Sequence, residues 1–96
     1  MILARVAGTV VCSSRKDGVR GPTFLLVRQC STRGEAKGEW TVALDGVGAG
    51  AGEVVIVSQG PSARQTQATH QKPIDALVCG IVDLVDERGA TVFRKG

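Results

Sequence analysis

The chain has 96 residues, 12 Lys and Arg against 9 Asp and Glu for a net charge of +3, and only Phe24, Phe93 and Trp40 as aromatic side chains. That length makes one domain, residues 1–96, which buries only about 60–65% of the surface of its unfolded chain. The basic residues are spread out and interleaved with acids, which argues against a phosphate-backbone footprint, and three rings leave little on which to stack exposed bases.

Residues 2–12 read as a strand whose even positions, Ile2, Ala4, Val6, Gly8, Val10 and Cys12, are apolar or small, with Arg5 and Thr9 on the other side. Residues 13–22 carry turn and charged types and form a loop. The run Phe24-Leu25-Leu26-Val27 has strand length, and residues 31–38 are a polar connection with Arg33-Gly34 as its turn signal, so a hairpin is expected. Trp40, Val42 and Leu44 alternate with Thr41, Ala43 and Asp45 in a third strand, which leads into the glycine-rich segment 46–52. Residues 53–57, Glu-Val-Val-Ile-Val, are the fourth strand.

Gly60-Pro61-Ser62 opens a helix signal, with Ser62 and Gln65 at capping-box spacing and room for about two turns before Pro73. The fifth strand, 73–83, is apolar on both sides. Ile74, Ala76, Val78, Gly80 and Val82 alternate with Leu77, Cys79, Ile81 and, further on, Val85. One of these faces can line a core; in so small a domain the other is most simply buried against another subunit, which predicts self-association. Thr91-Val92-Phe93 adds a short sixth strand. The pattern predicts an all-β fold, a small five-stranded OB-like barrel with one short helix between strands four and five.

Chemistry-bearing constellations are sparse. Gly46, Gly48 and Ala51 satisfy a relaxed dinucleotide fingerprint, yet a β-branched strand and not a helix follows, so a tight turn or close backbone packing is the better reading. His70 stands in a polar run without a second ligand at metal-binding spacing, and neither Ser58 nor Ser62 has a base in its sequence context. Cys12, Cys30 and Cys79 are odd in number and embedded in apolar patterns, which predicts small buried hydrophobes in a reducing compartment. Asp45, Asp75 and Asp83 read as acceptors for backbone or for Arg64. No enzyme, cofactor or metal is expected. Residues 1–5 lack a basic leader followed by an apolar stretch, and no segment approaches the ~20 apolar residues of a membrane span, so a cytoplasmic protein without a membrane partner is predicted.

Three segments in this order resemble the bacterial microcompartment vertex proteins, the small pentameric shell family of carboxysomes and of ethanolamine- and propanediol-utilising compartments. They are Leu3-Ala4-Arg5-Val6-Ala7-Gly8-Thr9-Val10-Val11; Val42-Ala43-Leu44-Asp45-Gly46-Val47-Gly48-Ala49-Gly50-Ala51-Gly52-Glu53 running into Gly60-Pro61-Ser62-Ala63-Arg64-Gln65; and Pro73-Ile74-Asp75-Ala76-Leu77-Val78-Cys79-Gly80-Ile81-Val82-Asp83. The resemblance implies a homopentamer that closes the vertices of a shell tiled by hexameric shell proteins, with no nucleic-acid partner. It also implies that Gly48, Ala49, Gly50, Ser62 and Ala63 lie near the five-fold axis or a pore. Arg64, Leu77, Cys79 and Ile81 are the candidates for subunit contacts. Gly46 and Pro61 depart from the residues common in the family. The tail, 86–96, is variable and leans toward an ethanolamine-type, catabolic compartment. On the residues alone, an OB-like module holding single-stranded nucleic acid or an oligosaccharide is the competing reading.

Overall fold

The structure is a computed structural model and describes residues 1–11, 23–60 and 75–96. Its strands are β1 (Ile2–Val10), β2 (Phe24–Cys30), β3 (Ala36–Asp45), β4 (Val54–Gln59), β5 (Ala76–Ile81), β6 (Leu84–Glu87) and β7 (Ala90–Arg94). The first five close into a barrel in the order β1-β2-β3-β5-β4, and β6 and β7 form a separate two-stranded hairpin. Closure comes from antiparallel β1–β4 pairing, Ile2 opposite Val57 through Arg5 opposite Val54, and from a short parallel contact of β3 with β5 at Leu44/Leu77 and Asp45/Val78. The expected all-β, five-stranded OB-like barrel is therefore present. The helix expected within 60–73 lies outside the described residues.

Five strands enclose a narrow space, and the side chains that fill it are correspondingly small. Ala4, Val6, Leu25, Val27, Ala43, Val55, Val57, Ala76 and Val78 form the core, with Ala49 reaching in from the loop after β3. Period-2 alternation delivers these residues inward from every strand. The larger apolar side chains are displaced outward: Phe24, Leu44 and Leu77 form a second cluster on the outer side of β2, β3 and β5.

Two bulges reverse the alternation read from the sequence. In β1, Val6 pairs with Val27 and Gly8 with Leu26, so Ala7 is an extra residue, and Gly8 and Val10 turn to the outer face while Thr9 pairs with Leu25. In β5, Val57 faces Val78 and Ile56 faces Gly80, so Cys79 is the extra residue. Ile81 accordingly packs against the core cluster and does not share a face with Leu77. Strand β3 also begins four residues earlier than the alternation around Trp40 indicated, at Ala36. Three of its residues, 37–39, span the interval that Gln29 alone spans in β2.

The β2–β3 turn is built locally. Ser31 Oγ accepts from the amides of Arg33 (3.2 Å) and Glu35 (3.3 Å), and Gly34 donates its amide to the Ser31 carbonyl at 2.9 Å with φ of 84°. Only glycine takes that conformation without strain. A Cβ at Gly34 would also stand 2.5 Å from Arg5 Nη2 and 2.9 Å from Phe93 Cδ1.

Val78→Ala removes two methylene-sized groups from a fully buried site and should lower unfolding free energy by about 2 kcal/mol, read as a reduced urea midpoint at unchanged slope. A midpoint shift no larger than that of an exposed control, Val47→Ala, would show that the barrel interior is not the stabilising core.

Candidate assembly surface

With Leu77 buried by Leu44 and Phe24 of its own chain, the second apolar face of β5 is covered from within. The expected reason for self-association, an uncovered second face on this strand, is thus met within the chain at Leu77, while Cys79 stays exposed. Among the described residues the exposed large apolar side chains are Trp40 and Val42 on β3, with Met1, Val11, Val47 and Leu84 scattered elsewhere. Cross-strand pairs Phe24/Leu44, Leu26/Val42 and Arg28/Trp40 line up on the outside of the sheet, where Trp40 is 54% and Val42 50% exposed. The Arg28 guanidinium lies over the Trp40 ring at 5.3 Å from its centroid and donates from Nε to the carbonyl of Gly38 at 3.0 Å. That pairing fixes a planar, apolar-faced platform at one end of the strip. Among the described residues this strip brings together one exposed ring and one already engaged guanidinium, not a row of stacking surfaces.

The glycine-rich segment leaves β3 at Asp45 and enters β4 at Val54. Asp45 Oδ1 accepts from the amides of Val47, Gly48 and Ala49 at 3.1, 2.9 and 3.3 Å. Glu53 Oε1 accepts from Gly50 at 2.6 Å. Gly52 donates to the Val6 carbonyl at 2.8 Å and Val6 to that of Glu53 at 2.9 Å, stitching the loop to β1. Gly48 and Gly52 take φ of 77° and 87°, which explains their identity. Two side chains of the chain itself therefore occupy the amides that a phosphate would need. Of the residues assigned to the axis, Gly48 and Gly50 are exposed, whereas Ala49 is buried in the barrel.

Arg5 ties together three peripheral elements. It donates from Nε to Gly34 O at 2.8 Å and from Nη1 to Gly52 O at 2.6 Å, and it stacks on Phe93 of β7 at 5.8 Å. The sixth-strand expectation is thus met by β7, but its partner β6 was not anticipated. The β6–β7 hairpin is further fastened by Lys95 Nζ to Glu53 Oε2 (2.7 Å) and Thr32 Oγ1 to Glu87 Oε1 (3.0 Å). Lys95 and the Gly50 amide hold the Glu53 carboxyl below its usual range, and Glu53 in turn raises Lys95.

Of the remaining assigned residues, Ser62, Ala63, Arg64 and His70 lie outside the described residues. Cys79 is exposed on its bulge, its Sγ 3.6 Å from the Ile56 carbonyl, so it is not the buried hydrophobe its apolar neighbours implied. Cys30 is half-buried. Burial pushes its thiol up, against the pull of Arg5, and keeps it protonated at neutral pH. Among the described residues no three His, Cys, Asp or Glu side chains converge as a metal site.

A family model described as ethanolamine utilisation protein EutN/carboxysome matches residues 1–83. The chain is 41% identical over 95 residues to the bacterial microcompartment shell vertex protein EutN of Salmonella typhimurium, covering 99% of this chain and 96% of that one. The structure of the Gloeobacter violaceus protein CcmL, named a carboxysome shell vertex protein, superposes with a TM-score of 0.88 at 39% identity, over 99% of this chain and 98% of that one. The pentameric microcompartment shell protein GrpN of Rhodospirillum rubrum superposes with a TM-score of 0.77 at 45% identity, over 91% and 99% of the two chains.

The Glu53–Lys95 ion pair predicts that hairpin docking depends on pH. Because the Glu53 carboxyl is depressed in the folded chain, its contribution is complete above the ordinary glutamate range and is lost as pH falls through the depressed value. Because Lys95 is raised, its contribution is complete below the ordinary lysine range and is lost as pH rises through the raised value. Amide exchange across residues 84–94 should therefore accelerate relative to the barrel on acidification from about pH 7 to about pH 3, after correction for intrinsic rates. In Glu53→Gln the acid-dependent change should be reduced. An unchanged acid response in that variant would show that the pair does not hold the hairpin.

Proposed function

The chain belongs to the EutN/carboxysome family, and we propose that it is a shell vertex protein, a structural subunit rather than an enzyme, at the five-fold corners of a bacterial microcompartment in the cytoplasm. The observation that carries this reading is end-to-end similarity, in sequence and in fold, to proteins named as shell vertex proteins of two compartment types. The geometry is compatible with it. Flat sheets of hexagonal tiles do not close without five-fold defects, and a five-fold ring uses a heterologous contact in which one patch of a subunit meets a different patch of the next.

We further propose that the subunits form a homopentamer, as GrpN does, and that hexameric shell proteins surround it. The strip Leu26, Trp40 and Val42 is the patch offered to the neighbouring subunit, supported by the exposure of Trp40 and Val42 side by side with half-buried Leu26. The glycine-rich loop at Gly48 and Gly50, together with Ser62 and Ala63, remains the proposed border of the axial opening, and Arg64 and Cys79 proposed contact residues. Leu77 and Ile81 also pack within the subunit that carries them, so their replacement by Asp would be read as unfolding before it was read as dissociation. A catabolic compartment is proposed over a carboxysome on the tail at 86–96 alone, since relatives of the two kinds match this chain at 41% and 39% identity.

Co-expression with hexameric shell proteins tests the role: electron microscopy should show closed polyhedra with the chain present and open or vertex-deficient assemblies without it. Equal closure in both would contradict the vertex reading. For the interface, Val42→Glu places a charge on a half-exposed position that the monomer tolerates but an apolar contact does not, at a cost of several kcal/mol when buried unpaired. It should convert the pentamer to monomers by sedimentation velocity while leaving the circular dichroism of the barrel intact. A persistent pentamer would move the interface elsewhere.

A further inference from the structure

The amides of residues 47–50 are all engaged by carboxylates of the same chain, three by Asp45 Oδ1 and one by Glu53 Oε1. Successive backbone N–H groups converging on one point make a nest with the character of an anion site. Here the anion is part of the strand that leads into the loop. The backbone of that strand end is itself pinned, Asp45 N to the Thr23 carbonyl at 2.9 Å and Gly46 N to the Val78 carbonyl at 3.0 Å, and a Cβ at Gly46 would meet the latter oxygen at 2.8 Å. The carboxylate is therefore presented from the barrel wall, and the loop wraps around it until Ala49 enters the core.

Glycine occupies positions 46, 48, 50 and 52. A segment so rich in glycine loses more conformational freedom on ordering than any other of its length, and a loop ordered only on contact with a neighbour would weaken that contact by the same amount. We infer that Asp45 is the positioning residue of the glycine loop, a built-in anion that sets the loop's shape before assembly and so strengthens the contact between subunits. The second half of this inference rests on the ring-subunit reading above; the first half does not.

The test uses Asp45→Ala and Asp45→Asn in the full chain, followed by amide exchange at Val47, Gly48 and Ala49, by oligomer mass, and by addition of sodium formate against sodium chloride at equal ionic strength. Exchange at the three amides should rise on the order of 100-fold in Asp45→Ala and about tenfold in Asp45→Asn, as charge-assisted acceptors are removed or neutralised. Barrel amides should be little changed. Formate should slow the exchange and restore the pentamer in Asp45→Ala, with no effect on wild type, because a free carboxylate refills the nest. Protection that survives in Asp45→Ala, or rescue by chloride equal to that by formate, overturns the assignment. Should Asp45→Ala fail to fold, Asp45→Asn decides the first half: selective acceleration of the three amides supports it, and none overturns it. A loosened loop in an undiminished pentamer overturns the link to assembly. A wild-type chain that is not pentameric refutes the ring reading and the assembly half, while the exchange experiment still decides the role of Asp45.

Discussion

Closure of a five-stranded barrel is the constraint from which the rest of this molecule follows. A sheet of five strands whose first and last elements pair, β1 with β4 through the order β1-β2-β3-β5-β4, encloses a narrow interior filled mainly by Val and Ala together with Leu25. Most of the residues filling it are small, and Phe24, Leu26, Trp40, Leu44 and Leu77 stand outside. Some are gathered by the chain itself into the Phe24–Leu44–Leu77 cluster; Trp40, with Val42 beside it, is left half in water. An apolar exterior is thus a consequence of the narrow interior, and it makes the barrel a natural subunit of a larger body.

The same closure leaves loops and a tail to be fixed by other means, and charge does much of this. Arg5 emerges from the outer side of β1 to hold the Gly34 turn, the Gly52 end of the glycine loop and the Phe93 ring. Asp45 and Glu53 hold the loop from its two ends, and Glu53 passes the constraint to Lys95 beyond the last strand. Such charge-assisted bonds to backbone are directional where apolar packing is not, so they give a glycine-rich surface one shape.

The fold class was legible because period-2 alternation survives over most of each long strand, and the rejection of a nucleotide site was legible because Val54 to Val57 is β-branched where a helix would be required. The alternation misled where one extra residue entered a strand. Nothing in the identities of Ala7 or Cys79 announces a bulge, yet each moves all later side chains of its strand to the opposite face, which is why Ile81 belongs to the core. The hairpin partner β6 was missed because Leu84-Val85-Asp86-Glu87 has a weak pattern and is tied to distant sequence through Glu87 to Thr32, and through its partner segment by Phe93 to Arg5 and Lys95 to Glu53. A run apolar on both sides does not reveal that Phe24 and Leu44 of the same chain pack on Leu77. Composition marks the glycine loop as a tight turn or close backbone packing, whereas the carboxylate that three of its amides meet is visible only once Asp45 and those amides are seen together.

Assembly state decides the vertex reading, because a vertex subunit functions as part of a five-membered ring, as its relative GrpN is named to form. Native mass spectrometry of the purified wild-type chain measures this directly. The account predicts a single dominant species at five times the 10.0 kDa chain mass, resolving to monomer only under activation. A monomer across the micromolar range, or a ring of another order, would contradict it.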